Sequence, residues 1–261
     1  MLECSFQKVW RIERGAVPVR GPDVKVLCQA YNATADMTEA LVGLARETKA
    51  KGWWQSYGDA VPDWFELYVG LESAATRLRK FELSMVPGLL QARAYMEAVL
   101  DADNPNVERT ERERLISIKT ERQGLLSRHF PPPPRLDVIL SEAVLWAAPS
   151  TPGAMTQQLW HLLKANELPH VCVRVLPSAV GPHWASRSGA FTILEFPTNE
   201  KRGGEPPTIY SEFITGALYL DKPKEIAAYE QAWSIVEELA LSVEESGQMI
   251  QKIMREMNHR E

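Results

Sequence analysis

Apolar positions divide this chain into two halves. Up to about residue 127 they recur every three or four residues, the period of helices with one buried face; from residue 135 they gather into short runs of strand length between further helical stretches. Phe6, Val9 and Ile12 mark a short helix over 6–14, capped by Ser5 and closed by Gly15. Pro22-Asp23 opens a second helix, with Val24, Leu27 and Tyr31 as its inner face. Leu41, Leu44 and Ala45 mark a third over 38–51, and Leu71, Ala74, Ala75 and Leu78 a fourth over 67–81. Pro87 and Gly88 then interrupt the pattern, because proline excludes Val86 from helical geometry and glycine tolerates unusual backbone angles. Leu89, Leu90, Tyr95, Met96, Val99 and Leu100 resume it, and a heavily charged helix follows over 106–127.

Pro131 to Pro134 form a stiff extended spacer at the end of the helical half. Beyond it, 136–140, 171–176, 189–196 and 208–214 read as strands, with a possible fifth at 217–220. Helices are expected over 155–166, 223–239 and 242–257, the last opened by a capping box of Ser242 and Glu245. Runs such as Val171–Leu176 suit a sheet covered by helices on at least one face. The expected fold class is α+β: an all-α N-terminal part, then a mixed α/β domain with a sheet of about four to five strands and C-terminal helices.

Composition narrows the chemistry. The chain has 261 residues, 45% hydrophobic and 24% charged, as in ordinary globular proteins. It lacks the 18-residue apolar run of a membrane span, and its first residues are charged too early for a signal peptide, so a cytoplasmic location is expected and no membrane partner. Cys4, Cys28 and Cys172 lie far apart with no C-x-x-C spacing, and His161, His170 and His183 lack ligand spacing, so neither a metal nor a cofactor is implied. No nucleotide-binding glycine loop or nucleophile elbow is readable.

The net charge is −5, so contact with nucleic acid requires a local basic patch. The first twenty residues hold one. Lys8, Arg11, Arg14 and Arg20 outnumber Glu3 and Glu13 by two, and Gln7, Lys8, Arg11 and Arg14 fall mostly on the polar side of the 6–14 helix. Amide and guanidinium groups read base edges and cations hold phosphates, although a solvated helix face has the same composition. In the second half, polar residues within or beside apolar elements offer a candidate pocket: Gln91, Arg122, Gln123, Glu142, His183 and Glu212. Buried carboxylates need partners, and Arg122 or Arg174 could supply them; the competing reading is a structural ion pair holding the helical half onto the sheet.

The residues from Glu82 to Tyr95 fit the pattern E-x-x-x-[VI]-P-G-L-L-Q-x-x-x-Y. With L-S-E-A at 140–143, V-x-V-R-V-L-P at 171–177 and L-x-x-E-E-S at 241–246, this resembles an actinobacterial domain of unknown function that follows an XRE-type helix-turn-helix in antitoxin-like transcriptional regulators. The string S-x-x-K-V-x-R-I-E-R-G at 5–15, with Pro22-Asp23-Val24 after it, is similar to the second half of such a helix-turn-helix. The resemblance implies a partial helix-turn-helix over 1–35, a helical linker over 36–80 and an effector- or partner-binding domain over 81–258. It implies operator DNA as a partner, read by Lys8, Arg11 and Gln7, a small companion protein or small-molecule effector, and a homodimer. Two departures are visible. The chain starts almost at the recognition helix, where the family has about two helices more, and Phe6 and Trp10 stand where the family carries Gln and a small residue. The alternative expectation is therefore a shortened relative that has lost DNA binding and serves as a ligand-binding or biosynthetic accessory protein, even an enzyme.

Overall fold

A computed structural model of the chain describes residues 21–31, 33–34, 38, 42, 63–197 and 205–258. The basic helix expected over 6–14, with Gln7, Lys8, Arg11 and Arg14, lies outside them, as does most of the helix expected over 38–51. The chain forms two compact units, Met1–Gly58 and Asp59–Glu261.

In the first unit, helix α1 spans Gly21–Ala30. Val24 and Cys28, one helical turn apart, are its buried positions and pack with Val42 and Ala33. This corrects the expected inner face of Val24, Leu27 and Tyr31, because Tyr31 is 68% exposed.

The second unit is built on one mixed sheet of six strands: β1 (Arg77–Glu82), β2 (Arg135–Ser141), β3 (Val171–Leu176), β4 (Phe191–Glu195), β5 (Thr208–Phe213) and β6 (Gly216–Leu220), in the order β3-β2-β1-β4-β5-β6. The β1, β2 and β3 strands are parallel neighbours; β4 runs antiparallel to β1, and β5 and β6 continue antiparallel. Parallel neighbours need long crossovers. The first contains α3 (Arg93–Asp103) and α4 (Arg109–Gln123); the second contains α5 (Glu142–Trp146) and α6 (Ala154–Ala165). Helix α2 (Asp63–Ala74) precedes the sheet, and α7 (Pro223–Leu239) and α8 (Val243–Asn258) follow it.

Alternation along the strands sends side chains to two cores. Leu78, Leu136, Val138, Leu140, Val173 and Leu194 face one side and pack with residues of α2, α3, α5, α6 and α8. Phe81, Ile139, Ile193 and Ile209 face the other and meet Ala232, Trp233 and Val236 of α7. The sheet is thus covered by helices on both faces. Among the described residues, no helix is long and apolar enough to cross a membrane.

The expected helix over 67–81 is corrected. It ends at Ala74, and Arg77–Glu82 is a strand between β2 and β4, which makes six strands where four to five were expected. Thr76 N–H donates to Glu195 O at 2.8 Å and Arg135 N–H donates to Thr76 O at 2.9 Å, so the backbone is captured from both sides as soon as the helix stops. Two of the strand's cations, Arg79 and Lys80, are buried and bonded to protein partners. The Arg79 guanidinium donates to both oxygens of Glu230, at 2.6 and 2.5 Å, and lies 2.6 Å from Glu195.

Because Leu78 is fully buried at the centre of the sheet, Leu78→Ala is expected to lower the unfolding free energy by about 3 kcal/mol, read from urea denaturation followed by circular dichroism.

Candidate functional site

A cavity of about 770 Å³ opens on the face of the sheet that carries α2 and α4, at the carboxyl end of β1. This is where the sheet changes from parallel to antiparallel pairing, and crevices at such switch points are common ligand sites in open sheets. The register explains its floor. Lys80 pairs with Thr192, and Thr192 with Tyr210, forming one row across three strands. Two residues further along their strands on the same face, Glu82 of β1 and Glu212 of β5 reach the cavity wall, as does Ala190 just before β4. The Val86–Gln91 turn, Arg122 of α4 and the β5–β6 hairpin tip complete the wall.

The polar groups form a chain of bonds. Arg122 donates from Nε to Glu72 Oε2 at 2.5 Å and from Nη2 to Glu72 Oε1 at 2.8 Å. Tyr68 Oη donates to Glu72 Oε1 at 2.7 Å, and Lys80 Nζ donates to Tyr68 Oη and Thr192 Oγ1, both at 2.9 Å. The Arg122 guanidinium lies 5.1 Å from the centre of the Phe65 ring and 5.2 Å from that of Tyr68, within cation–π range. Tyr68 stacks on Tyr210 at 4.0 Å between centroids, and Tyr210 Oη donates to Glu212 Oε2 at 2.9 Å.

Protonation follows from these contacts. Burial pushes the Glu72 carboxyl up, but the charge and hydrogen bonds of Arg122, the charge of Lys80 and the Tyr68 hydroxyl outweigh it and hold it below the ordinary carboxylate range. Burial lowers the Lys80 ammonium, with Glu82 and Glu72 opposing. Burial raises Glu82; Lys80 pulls it down and Glu212 pushes it up again. The Tyr68 hydroxyl is raised by burial and by the charge of Glu72, so it stays a neutral donor.

The structure brings three of the six expected pocket residues to the cavity wall: Gln91, Arg122 and Glu212. Gln91 is held by its Nε2, which donates to Val86 O at 2.8 Å and thereby fixes the amide orientation. Its Oε1 is buried without a partner. Gln123 stands behind the wall and donates to Gly88 O and Gln91 O at 2.9 and 2.8 Å, pinning the turn to α4. Gly88 lies close against Arg122: a Cβ there would come within 3.1 Å of Arg122 Nη1, a tight contact with a guanidinium already held by Glu72.

Glu142 and His183 lie elsewhere. Glu142 starts α5 and accepts from Ser178 N–H at 2.8 Å. His183 opens the short turn Trp184–Arg187, where its N–H donates to Ser186 Oγ; the neighbouring Ala185 packs on the α7 face. Arg174 pairs with neither expected carboxylate; its guanidinium donates to Glu237 O, Ala240 O and Leu241 O at the end of α7. Arg122 pairs with Glu72, which joins α4 to α2 rather than to the sheet.

Sequence reasoning missed Tyr68, Glu72, Lys80, Glu82 and Thr192. The signal available was the two-residue alternation Leu78-Lys80-Glu82 and Tyr210-x-Glu212, which places these side chains on one sheet face once β1 is known to be a strand. Gln158, fully buried, was missed as well; it accepts from Ala92 N–H and donates to Leu90 O, both at 2.7 Å, and so anchors the far end of the turn. Among the described residues no group of His, Cys, Asp and Glu is arranged to hold a metal ion.

Fold and site together define a domain with helices on both faces of a mixed sheet and a polar cavity at its switch point. Residues 65–252 match the family described as a domain of unknown function, DUF5753, and the chain belongs to that family. No curated protein and no solved structure matches the chain.

Arg122→Met leaves Glu72 buried without its counter-charge and is expected to cost about 3–5 kcal/mol. The pH dependence has a defined sign. Glu72, depressed in the folded chain, contributes stability that is present above the ordinary value of 4.5 and lost as pH falls through its folded value. Without Arg122, burial raises the carboxyl instead, so the stability gap between wild type and variant should narrow as pH falls below 4.5. Urea titrations of both proteins across that range measure it.

Proposed function

We propose that this chain is a ligand-responsive transcriptional regulator of the antitoxin-like XRE class, in which the cavity of the second unit takes a small-molecule effector. The observation that carries the reading is a cavity of about 770 Å³ at the carboxyl end of β1, lined by Lys80, Glu82, Gln91, Arg122 and Glu212 among apolar residues. Cavities of this volume suit small molecules. The sequence supports the placement, because the P-G-L-L-Q stretch supplies Pro87, Gly88 and Gln91 to the wall and Leu89 and Leu90 to the core beneath.

The regulatory half of the reading rests on the resemblance of residues 5–31 to part of a helix-turn-helix and on the basic set Gln7, Lys8, Arg11 and Arg14. A homodimer and a companion protein belong to the same reading. A second reading, a ligand-binding accessory protein that does not read DNA, is favoured by the bulk of Trp10 on the expected recognition helix and by the net charge of −5.

Titration of the 261-residue chain against the DNA upstream of its own gene, at two salt concentrations, separates the two. The regulator should bind saturably and weaken with salt, and Arg11→Ala should weaken binding and reduce the log–log salt slope by about one unit for a lost phosphate contact. Absence of salt-sensitive binding selects the accessory protein.

A further inference from the structure

Lys80 differs from the other buried cations around the cavity. It sits on β1, is 5% exposed, and lines the cavity floor. Arg79 and Arg122 are each held by a carboxylate at hydrogen-bond distance. Lys80 is not. Among the described residues its nearest carboxylate oxygen is Glu82 Oε1, 4.0 Å away, and Glu72 is already satisfied by Arg122 and Tyr68. Lys80 Nζ instead meets two neutral oxygens, Tyr68 Oη and Thr192 Oγ1, both at 2.9 Å. A buried ammonium without a bonded counter-ion is costly, and lysine relieves the cost by losing its proton. Burial and the charge of Arg122 lower this ammonium, and Glu82, Glu72 and Glu212 do not make up the difference.

The hydrogen bonds fit the neutral form. A free amine carries two N–H donors and one lone pair. Tyr68 Oη has given its own proton to Glu72, so it accepts from Nζ, and Thr192 Oγ1 accepts from Nζ as well. Both N–H groups are then used, and the lone pair remains. Glu82, on the same strand and the same cavity wall, is a carboxyl that burial raises, so it can carry a proton beside the amine. Phe65 and Phe213 add apolar surface to the wall.

We propose that Lys80 is a nucleophilic amine that captures a carbonyl ligand, an aldehyde or ketone with a small apolar skeleton, as a reversible imine. This rests on the ligand-binding reading above and adds the chemical class. Nζ attacks the carbonyl carbon, the C–N bond forms, and an N–H proton passes to the carbonyl oxygen to give a carbinolamine. Glu82 in its acid form protonates that hydroxyl. Water leaves as the nitrogen pair forms C=N, and the iminium returns its N–H proton to Glu82. Amine and carbonyl thus become imine and water, with no change of oxidation state.

The test is reductive trapping on the full chain. Benzaldehyde and butanal are each incubated with the wild type and sodium cyanoborohydride near neutral pH, and the alkylated lysines are mapped by peptide mass spectrometry over time. Lys222 and Lys252, with side chains 79% and 77% exposed, are the internal controls. The free base is the nucleophile and is scarce on an ordinary exposed lysine near neutral pH, so Lys80 should be alkylated about tenfold faster or more. E82Q, checked for folding by circular dichroism, should slow trapping at Lys80 and leave the two controls unchanged; an unchanged rate at Lys80 overturns the role given to Glu82. Trapping at Lys80 no faster than at Lys222 and Lys252 in the wild type overturns the imine assignment. A thermal-shift screen of neutral, anionic and cationic small molecules keeps the two readings apart. A raised Tm without selective trapping leaves the effector reading standing, and no shift by any class together with no selective trapping removes both.

Discussion

The bidentate bond between Arg122 and Glu72 is the contact on which the polar interior of the second unit depends. Two charges removed from water cost several kcal/mol each, and only near-ideal geometry with further hydrogen bonds offsets that. Both conditions are met: two parallel bonds at 2.5 and 2.8 Å, a third bond to Glu72 from Tyr68, and Phe65 and Tyr68 rings beside the guanidinium. The pair fixes other elements in turn. It holds α4 to α2, it sets the guanidinium close against Gly88, and it orients the Tyr68 hydroxyl that accepts from Lys80. Lys80 then carries the network into β1, the strand around which the sheet is ordered.

The cavity above this network has a buried base and an exposed rim. The base is β1, β4 and β5, locked by ladder pairing and by buried side chains. The rim includes the hairpin tip, where Phe213 is 57% exposed and Ile214 fully so. The Gln91 turn lies between these extremes, tied by Gln123 and Gln158 at several backbone carbonyls and amides.

Much of the fold was legible in the sequence. Strands β2 to β6, helices α6 to α8 and the charged helix α4 follow from their apolar spacing, because each buries its apolar positions in the way its own period dictates. The site was only half legible. Gln91, Arg122 and Glu212 stood out as polar residues in apolar surroundings and do share one cavity; Glu142 and His183 stood out for the same reason and do not. Polarity within an apolar element shows that a partner exists without showing which partner. For Glu142 the partner is the Ser178 amide; for Arg174 it is the carbonyl end of α7.

The sequence by itself determined the alternation of helix and strand, the break at Pro87-Gly88, and which residues are apolar enough to form the two cores. Tertiary structure alone decided that Arg77–Glu82 is a central strand. Leu78 continues the apolar spacing of the preceding helix into it, and what makes its cations tolerable inside is supplied by residues 112 and 151 positions away, Thr192 to Lys80 and Glu230 to Arg79. The cavity depends on the same long-range closure. Lys80, Thr192 and Tyr210 become neighbours only through the register of β1, β4 and β5, and pairing between distant strands has no signature in the spacing of residues along any one of them.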